Sequence, residues 1–151
     1  MPNLFKIWRG IKENEIPFTP IRPIYLAPGL ELTQFDDEKW LYEGENKVFF
    51  GGLYHKNKWG FGPKYFIGFV QSTVPHKQLY SRWDSDTTTI TVNNIEVVIH
   101  RQPLKHGKQL LPDNDKRQIY VDWYYNGIYF SAYTVDIPLN ETVKVIASMI
   151  T

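Results

Sequence analysis

From Leu30 onward the chain is dominated by short apolar and β-branched runs separated by glycine or polar turn residues, and helical spacing is confined to its two ends. At the start, Leu4, Phe5, Ile7, Trp8 and Ile11 follow helical intervals, with Leu4, Trp8 and Ile11 on one stripe, which predicts a short N-terminal helix. Pro17, Pro20 and Pro23 then alternate with Ile16, Phe18, Ile21 and Ile24; each proline pushes its predecessor toward extended backbone, so an extended connector or edge strand is expected. Strand signals follow at Leu30, Leu32 and Phe35, at Lys39 to Tyr42, Lys47 to Tyr54 and Tyr65 to Gln71. Gly51 and Gly52 mark a bulge or a close backbone approach within the third of these runs.

Two hairpins have turns with a mechanism. Asn93 and Asn94, which tolerate positive φ, separate Thr89–Val92 from Ile95–Ile99, and Asn126-Gly127 separates Gln118–Tyr125 from Ile128–Val135. At the end, Leu139, Val143, Ile146, Ala147 and Ile150 recur at helical intervals, with Asn140 placed to cap and Glu141 in the first turn. The expected architecture is α+β: a largely antiparallel curved sheet with a short N-terminal helix and an amphipathic C-terminal helix packed on it. Residues 1–22 form the helix and proline-rich connector, and residues 23–151 a single domain.

Composition narrows the function classes. The 151 residues suffice for one core, and the aromatic content of 16%, with nine Phe, ten Tyr and five Trp, suits a pleated sheet. A net charge of +1 gives no general field for nucleic acid or anionic lipid, so only a local basic patch would serve such a partner. The absence of cysteine removes disulfides, thiol nucleophiles and thiolate metal sites together. Met1 to Ile16 lacks the apolar core of a signal peptide (~7 to 15 residues), and no run approaches the ~18 apolar residues of a membrane span. As written, the chain is expected to be cytoplasmic; were residues to precede Met1, an extracytoplasmic location would be open.

Motifs that carry chemistry are matched only in fragments. Asp84-Ser85-Asp86-Thr87-Thr88 fits the D-x-D-x-T pattern of aspartyl-phosphate phosphatases, but Ser81, Arg82 and Trp83 stand where an apolar strand should, and a hairpin follows instead of an α/β unit. Asp113-Asn114-Asp115 lacks the glycine and distal glutamate of a calcium loop. His55, His76, His100 and His106 show no metal-ligand spacing, although His100 and His106 flank one loop. Gly60-Phe61-Gly62-Pro63-Lys64 has no third glycine, and its proline removes a donor, so it is a turn and not a phosphate loop. No metal and no cofactor is therefore expected.

Two clusters remain as candidate binding residues. Tyr54, Trp59, Phe61 and Tyr65 surround a glycine-bearing loop and have the rings to stack on a ligand, unless they pack as core and rim. Arg101, Lys105, His106, Lys108 and Arg117, with Lys116, form a basic stretch that a single-stranded nucleic acid would use, and that a solvated loop explains more simply.

Two further segments carry a family resemblance. Pro23-Ile24-Tyr25-Leu26-Ala27-Pro28-Gly29-Leu30-Glu31-Leu32 resembles the opening P-x-Y-L-P-x-G-Y-x-L of a bacterial domain family without assigned function, found as the outer, C-terminal part of membrane-anchored anti-sigma-like proteins. Trp123, Gly127, Tyr129, Leu139-Asn140-Glu141 and Lys144 to Met149 are similar to its closing pattern. Ala27 stands where that pattern has proline and Leu30 where it has an aromatic residue. The resemblance implies a curved antiparallel sheet with a packing helix and no catalytic set, and it carries no sigma-factor partner. The leading expectation is thus a non-enzymatic sensing or interaction domain that binds a protein, peptide or small ligand through a sheet face or aromatic loop. The alternatives are a hydrolase using dispersed residues such as Asp84, Asp86 and His100, and a single-stranded nucleic-acid binder acting through residues 101–117. The oligomeric state is left open.

Overall fold

Eight short runs of the chain, most of them β-branched and aromatic, pair into one antiparallel sheet in the computed structural model, which describes residues 8–32, 35–42, 47–55, 65–75, 86–101 and 118–150. In chain order the strands are β1 (Trp8–Gly10), β2 (Phe35–Tyr42), β3 (Lys47–His55), β4 (Phe66–Ser72), β5 (Asp86–Val92), β6 (Ile95–Arg101), β7 (Ile119–Tyr125) and β8 (Ile128–Val135), followed by helix α1 (Leu139–Met149). Their spatial order is β1-β2-β3-β4-β8-β7-β6-β5. Two four-stranded meanders therefore meet through their last strands, β4 and β8, and the sheet stays open at β1 and β5.

Both asparagine turns fall where the sequence places them. Asn93 and Asn94 have φ of 48° and 69°, and Asn126 and Gly127 of 53° and 79°, the paired positive values that match the twist of hairpin strands. Asn93 also serves the helix. Its side-chain amide donates to the carbonyls of Ile150 (2.6 Å) and Ala147 (3.3 Å), closing the C-terminal end of α1.

The expected N-terminal helix is not shown among the described residues. Trp8–Gly10 pairs antiparallel with Trp40–Tyr42 as an edge strand, and Glu13–Glu15 forms a single 3-10 turn; Leu4, Phe5 and Ile7 lie outside the described residues. A helix of two or three turns interrupted by Gly10 is marginal by itself, whereas sheet pairing satisfies the same backbone groups against an existing strand. The connector is extended as expected but is not a strand. It crosses one sheet face, held by Gln71, whose side chain accepts from the Ile21 N–H (2.8 Å) and donates to the Ile21 carbonyl. Ser148 Oγ accepts from Ile24 N–H (3.2 Å) and Tyr25 N–H (3.4 Å), tying the connector to α1. Pro28 and Gly29 (φ 94°) then turn the chain, with Leu30 N–H donating to the Ala27 carbonyl at 3.1 Å.

Alternation sorts the side chains onto two faces. Tyr54, Ile67, Phe69, Val97, Ile99, Ile119, Val121, Trp123, Phe130 and Ala132 belong to the main core, which α1 and the connector complete with Leu26, Ala27, Val145, Ile146, Met149 and Ile150. A smaller cluster of Ile16, Val48 and Phe50 extends it under the connector, with the Arg22 guanidinium 5.0 Å from the Phe50 ring centre. The apolar stripe of α1 faces the core as expected, with Ile146 and Ile150 buried and Leu139, Val143 and Ala147 half-buried against it, but its centre is shifted to include Thr142, Val145 and Met149. Thr142 tolerates burial because its hydroxyl donates to the Pro138 carbonyl at 3.2 Å. Pro138, not Asn140, occupies the cap position, and Asn140 Oδ1 accepts from the Glu141 N–H beside it.

Candidate functional site

The opposite face of the sheet holds a trough of about 730 Å³. Pairing register fixes its floor. Glu38 lies opposite Gly51, Gly51 opposite Val70, Val70 opposite Ser131, and Ser131 opposite Asp122, so one row of residues crosses β2, β3, β4, β8 and β7. Glycine and valine at its centre keep that row low. The flanking rows are taller: Trp40 opposite Phe49 on one side, and Leu53, Tyr133 and Tyr120 on the other, with Leu53 lying over Gly68. From Glu38 to Ser131 is three strand spacings, ~14 Å.

The glycines are there for different reasons. A β-carbon at Gly51 would sit 2.6 Å from the Phe69 carbonyl oxygen, so β3 and β4 approach too closely at this point for any side chain. Pairing runs unbroken through Gly51 and Gly52, so of the two possibilities raised by the sequence it is the close approach that occurs and not a bulge. At Gly68 the nearest neighbour is the side chain of Leu53, which lies over it at 2.8 Å from where a β-carbon would be.

Polar groups are concentrated at the two ends. At the β2 end, Trp40 is 39% exposed and its indole N–H reaches Glu38 Oε2 at 3.4 Å, a long and weak contact. The β7 end carries a chain of hydrogen bonds over four neighbouring strands. Ser131 Oγ donates to Asp122 Oδ1 (2.8 Å), Asp122 Oδ2 lies 3.3 Å from His100 Nε2, and His100 Nδ1 lies 3.3 Å from Thr87 Oγ1. Burial pulls the His100 imidazole below its ordinary pKa, and the Asp122 carboxylate, pulling upward, does not overcome it. At neutral pH the contact is therefore a neutral imidazole donating Nε2–H to a carboxylate, which leaves Nδ1 to accept from the Thr87 hydroxyl. Ser131 borders the main trough, while Asp122 borders a second hollow of about 530 Å³ with Glu96, Val98, Tyr124 and Tyr129. Tyr120 and Tyr133 stack at 4.5 Å between ring centres, and burial raises both hydroxyl pKa values, so they remain neutral donors.

Of the rings singled out from sequence, Tyr54 is 1% exposed on the helix-side face, stacked on Phe35 at 4.5 Å and edge-on to Phe69 at 6.1 Å. Tyr65 donates its hydroxyl to the Pro28 carbonyl at 2.6 Å and so braces the connector turn. Trp59 and Phe61 lie outside the described residues, as do Lys105, His106, Lys108, Lys116 and Arg117 of the basic stretch, Asp113 to Asp115, His76 and Asp84. Arg101 is at the end of β6, with Nη2 donating to Thr88 Oγ1 at 3.2 Å. Asp86 is paired opposite Arg101, and the carboxylate that meets His100 is Asp122, which sequence alone did not single out. Among the described residues no group of three or more His, Asp or Glu side chains is placed to hold a metal ion. No helix among them is long and apolar enough to cross a membrane.

No protein-family profile, curated protein or solved structure matches this chain. The trough residues Glu38, Trp40, Phe49, Leu53, Val70, Ser131 and Tyr133 are scattered over four strands, and only the pair Gly51-Gly52 signalled in sequence that the backbone comes close here.

Proposed function

We propose that the protein is a non-enzymatic binding domain whose sheet face receives a small, largely apolar ligand in the trough between Trp40 and Tyr133. The observation that carries this reading is the trough itself. A volume of about 730 Å³ lies in the range of small-molecule sites, and its lining of Trp40, Phe49, Leu53, Val70 and Tyr133 with a few polar groups at the ends is the usual composition of such sites. An apolar body would lie across the strands along the low row Gly51–Val70, with Ser131 and the tyrosines at one end and Glu38 at the other. A sensing role fits the family resemblance of residues 23–32 and 123–149, in which no catalytic residues are implied.

Titration with the neutral dye N-phenyl-1-naphthylamine tests this. Fluorescence should rise on binding to the wild-type protein, Trp40 emission should be quenched in parallel, and Val70→Trp, which fills the floor, should abolish both while leaving the far-UV circular dichroism unchanged. Equal dye binding by a folded Val70→Trp variant would count against the trough.

A second reading is favoured by one specific observation, the order hydroxyl, imidazole, carboxylate in Thr87, His100 and Asp122, which is the arrangement that activates a nucleophile. Under it the protein would be a hydrolase acting at β5. Release of p-nitrophenol from p-nitrophenyl acetate that disappears in Thr87→Val and His100→Gln would support it; equal rates in all three proteins would remove it.

A further inference from the structure

We infer that the trough is built for an organic cation, with Glu38 and Trp40 receiving a ligand ammonium group and the Gly51–Val70 floor receiving its apolar body; this rests on the trough being a ligand site. Glu38 and Trp40 are two residues apart on β2, so both side chains leave the same face, and the carboxylate contacts the indole edge at 3.4 Å. Two other carboxylates of β2 and β7 have stronger partners. Asp37 is held by Lys39 at 2.7 Å on the helix-side face, and Asp122 by Ser131 and His100. Glu38 is engaged by the long indole contact, so its carboxylate keeps most of its capacity for a charged donor.

The surrounding charge points the same way. Among the residues whose side chains are described, strand alternation places three carboxylates on this face, Glu38, Glu96 and Asp122, against one ammonium, Lys47. Lys47 stands four positions along β3 from Gly51, the residue facing Glu38, with its ammonium 5.7 Å from the ring centre of Tyr42. An exposed indole next to a carboxylate at the mouth of an apolar trough combines the two features that recognise alkyl- or arylammonium groups, a π-face for the cation and a charged acceptor for its N–H. A carboxylate-bearing ligand of the same shape would meet repulsion at the same place.

Isothermal titration with n-octylammonium, 1-octanol and octanoate tests the inference on the wild-type protein, on Glu38→Gln and on Glu96→Gln, which alters a carboxylate of the same face outside the trough. Wild type is expected to bind n-octylammonium about tenfold or more tightly than 1-octanol, and octanoate more weakly than either. Glu38→Gln should bring n-octylammonium down to the level of 1-octanol with 1-octanol unchanged, and Glu96→Gln should keep the wild-type order. Equal binding of n-octylammonium and 1-octanol by wild type, or a preference that survives Glu38→Gln, would overturn the cation site and leave the apolar trough standing. Failure of all three ligands to bind would overturn both.

Discussion

Replacing Gly51 by alanine isolates the close approach of β3 and β4 that shapes the trough floor. The added β-carbon would lie 2.6 Å from the Phe69 carbonyl oxygen, and because that oxygen is backbone it has no rotamer to escape into. Restoring a tolerable contact of about 3.0 Å needs β4 to retreat by roughly 0.4 Å in the middle of a seven-pair ladder. Such a shift strains hydrogen bonds to β3 and moves the Phe69 ring against Tyr54 on the other face. Overpacking of this kind costs ~1–3 kcal/mol, and the entropy removed from the unfolded chain by Gly→Ala returns only ~0.5–1 kcal/mol, so Gly51→Ala should destabilise by about 1–2 kcal/mol. Gly68→Ala is the control: its β-carbon would meet Cδ2 of Leu53, the far end of a flexible side chain, at 2.8 Å. Leu53 can swing away into the trough, so the net change should stay within about 0.5 kcal/mol. Equilibrium urea unfolding of the three proteins measures both values through the midpoint at constant m. A Gly51→Ala variant as stable as wild type, or one no worse than Gly68→Ala, would refute the backbone contact.

Three other consequences can be measured directly. Gln71→Leu keeps the buried volume but strips the Ile21 N–H and carbonyl of their partners, and should cost about 2 kcal/mol by urea unfolding; a neutral outcome would mean the connector is not held by this residue. The depressed His100 pKa makes the unfolded chain the stronger proton binder near and below the unperturbed value of 6.5. Its contribution to stability is therefore fully present above pH 6.5 and is lost as pH falls through the folded-state pKa, and Asp122→Asn should lower that pKa further; NMR titration showing His100 at or above 6.5 would contradict this. Asn93→Asp sets a negative charge against the last carbonyls of α1 and should destabilise by about 1–2 kcal/mol, whereas Asn94→Asp in the same turn should change stability by less than about 0.5 kcal/mol; similar thermal melts for the two would argue against the helix closure by Asn93.

Local structure was legible in the sequence where one residue type has one backbone use. Asn93-Asn94 and Asn126-Gly127 located two turns because few other pairs sustain positive φ, and each turn then set the register of its hairpin. Periodicity alone misled at Trp8, where apolar spacing compatible with a helix gave way to pairing with Trp40–Tyr42, a partner more than thirty residues away. The buried stripe of α1 was legible only in part, for a similar reason. Hydropathy pointed to Leu139 and Val143, but Thr142 turns inward because Pro138 offers its hydroxyl an acceptor. The trough was the least legible feature, since its floor exists only after β4 is set beside β8, and no turn or spacing announces that pairing. Glu38, Ser131 and Asp122 are ordinary polar residues in their own strands, and only the register puts them on one line.

The strand order also dictates how the chain must assemble. Apart from β4 with β8, every pairing joins strands that follow one another in sequence, so each meander can grow by adding neighbours at low loop-closure cost. The β4–β8 seam spans residues 66–72 and 129–135 and closes a loop of about sixty residues, which makes it the slow, nucleation-demanding contact. Because the trough floor straddles that seam, the binding face comes into being at the moment the two halves dock. Fraying confined to the outer strands would leave the site intact, whereas any opening that parts the seam would erase it in a single step.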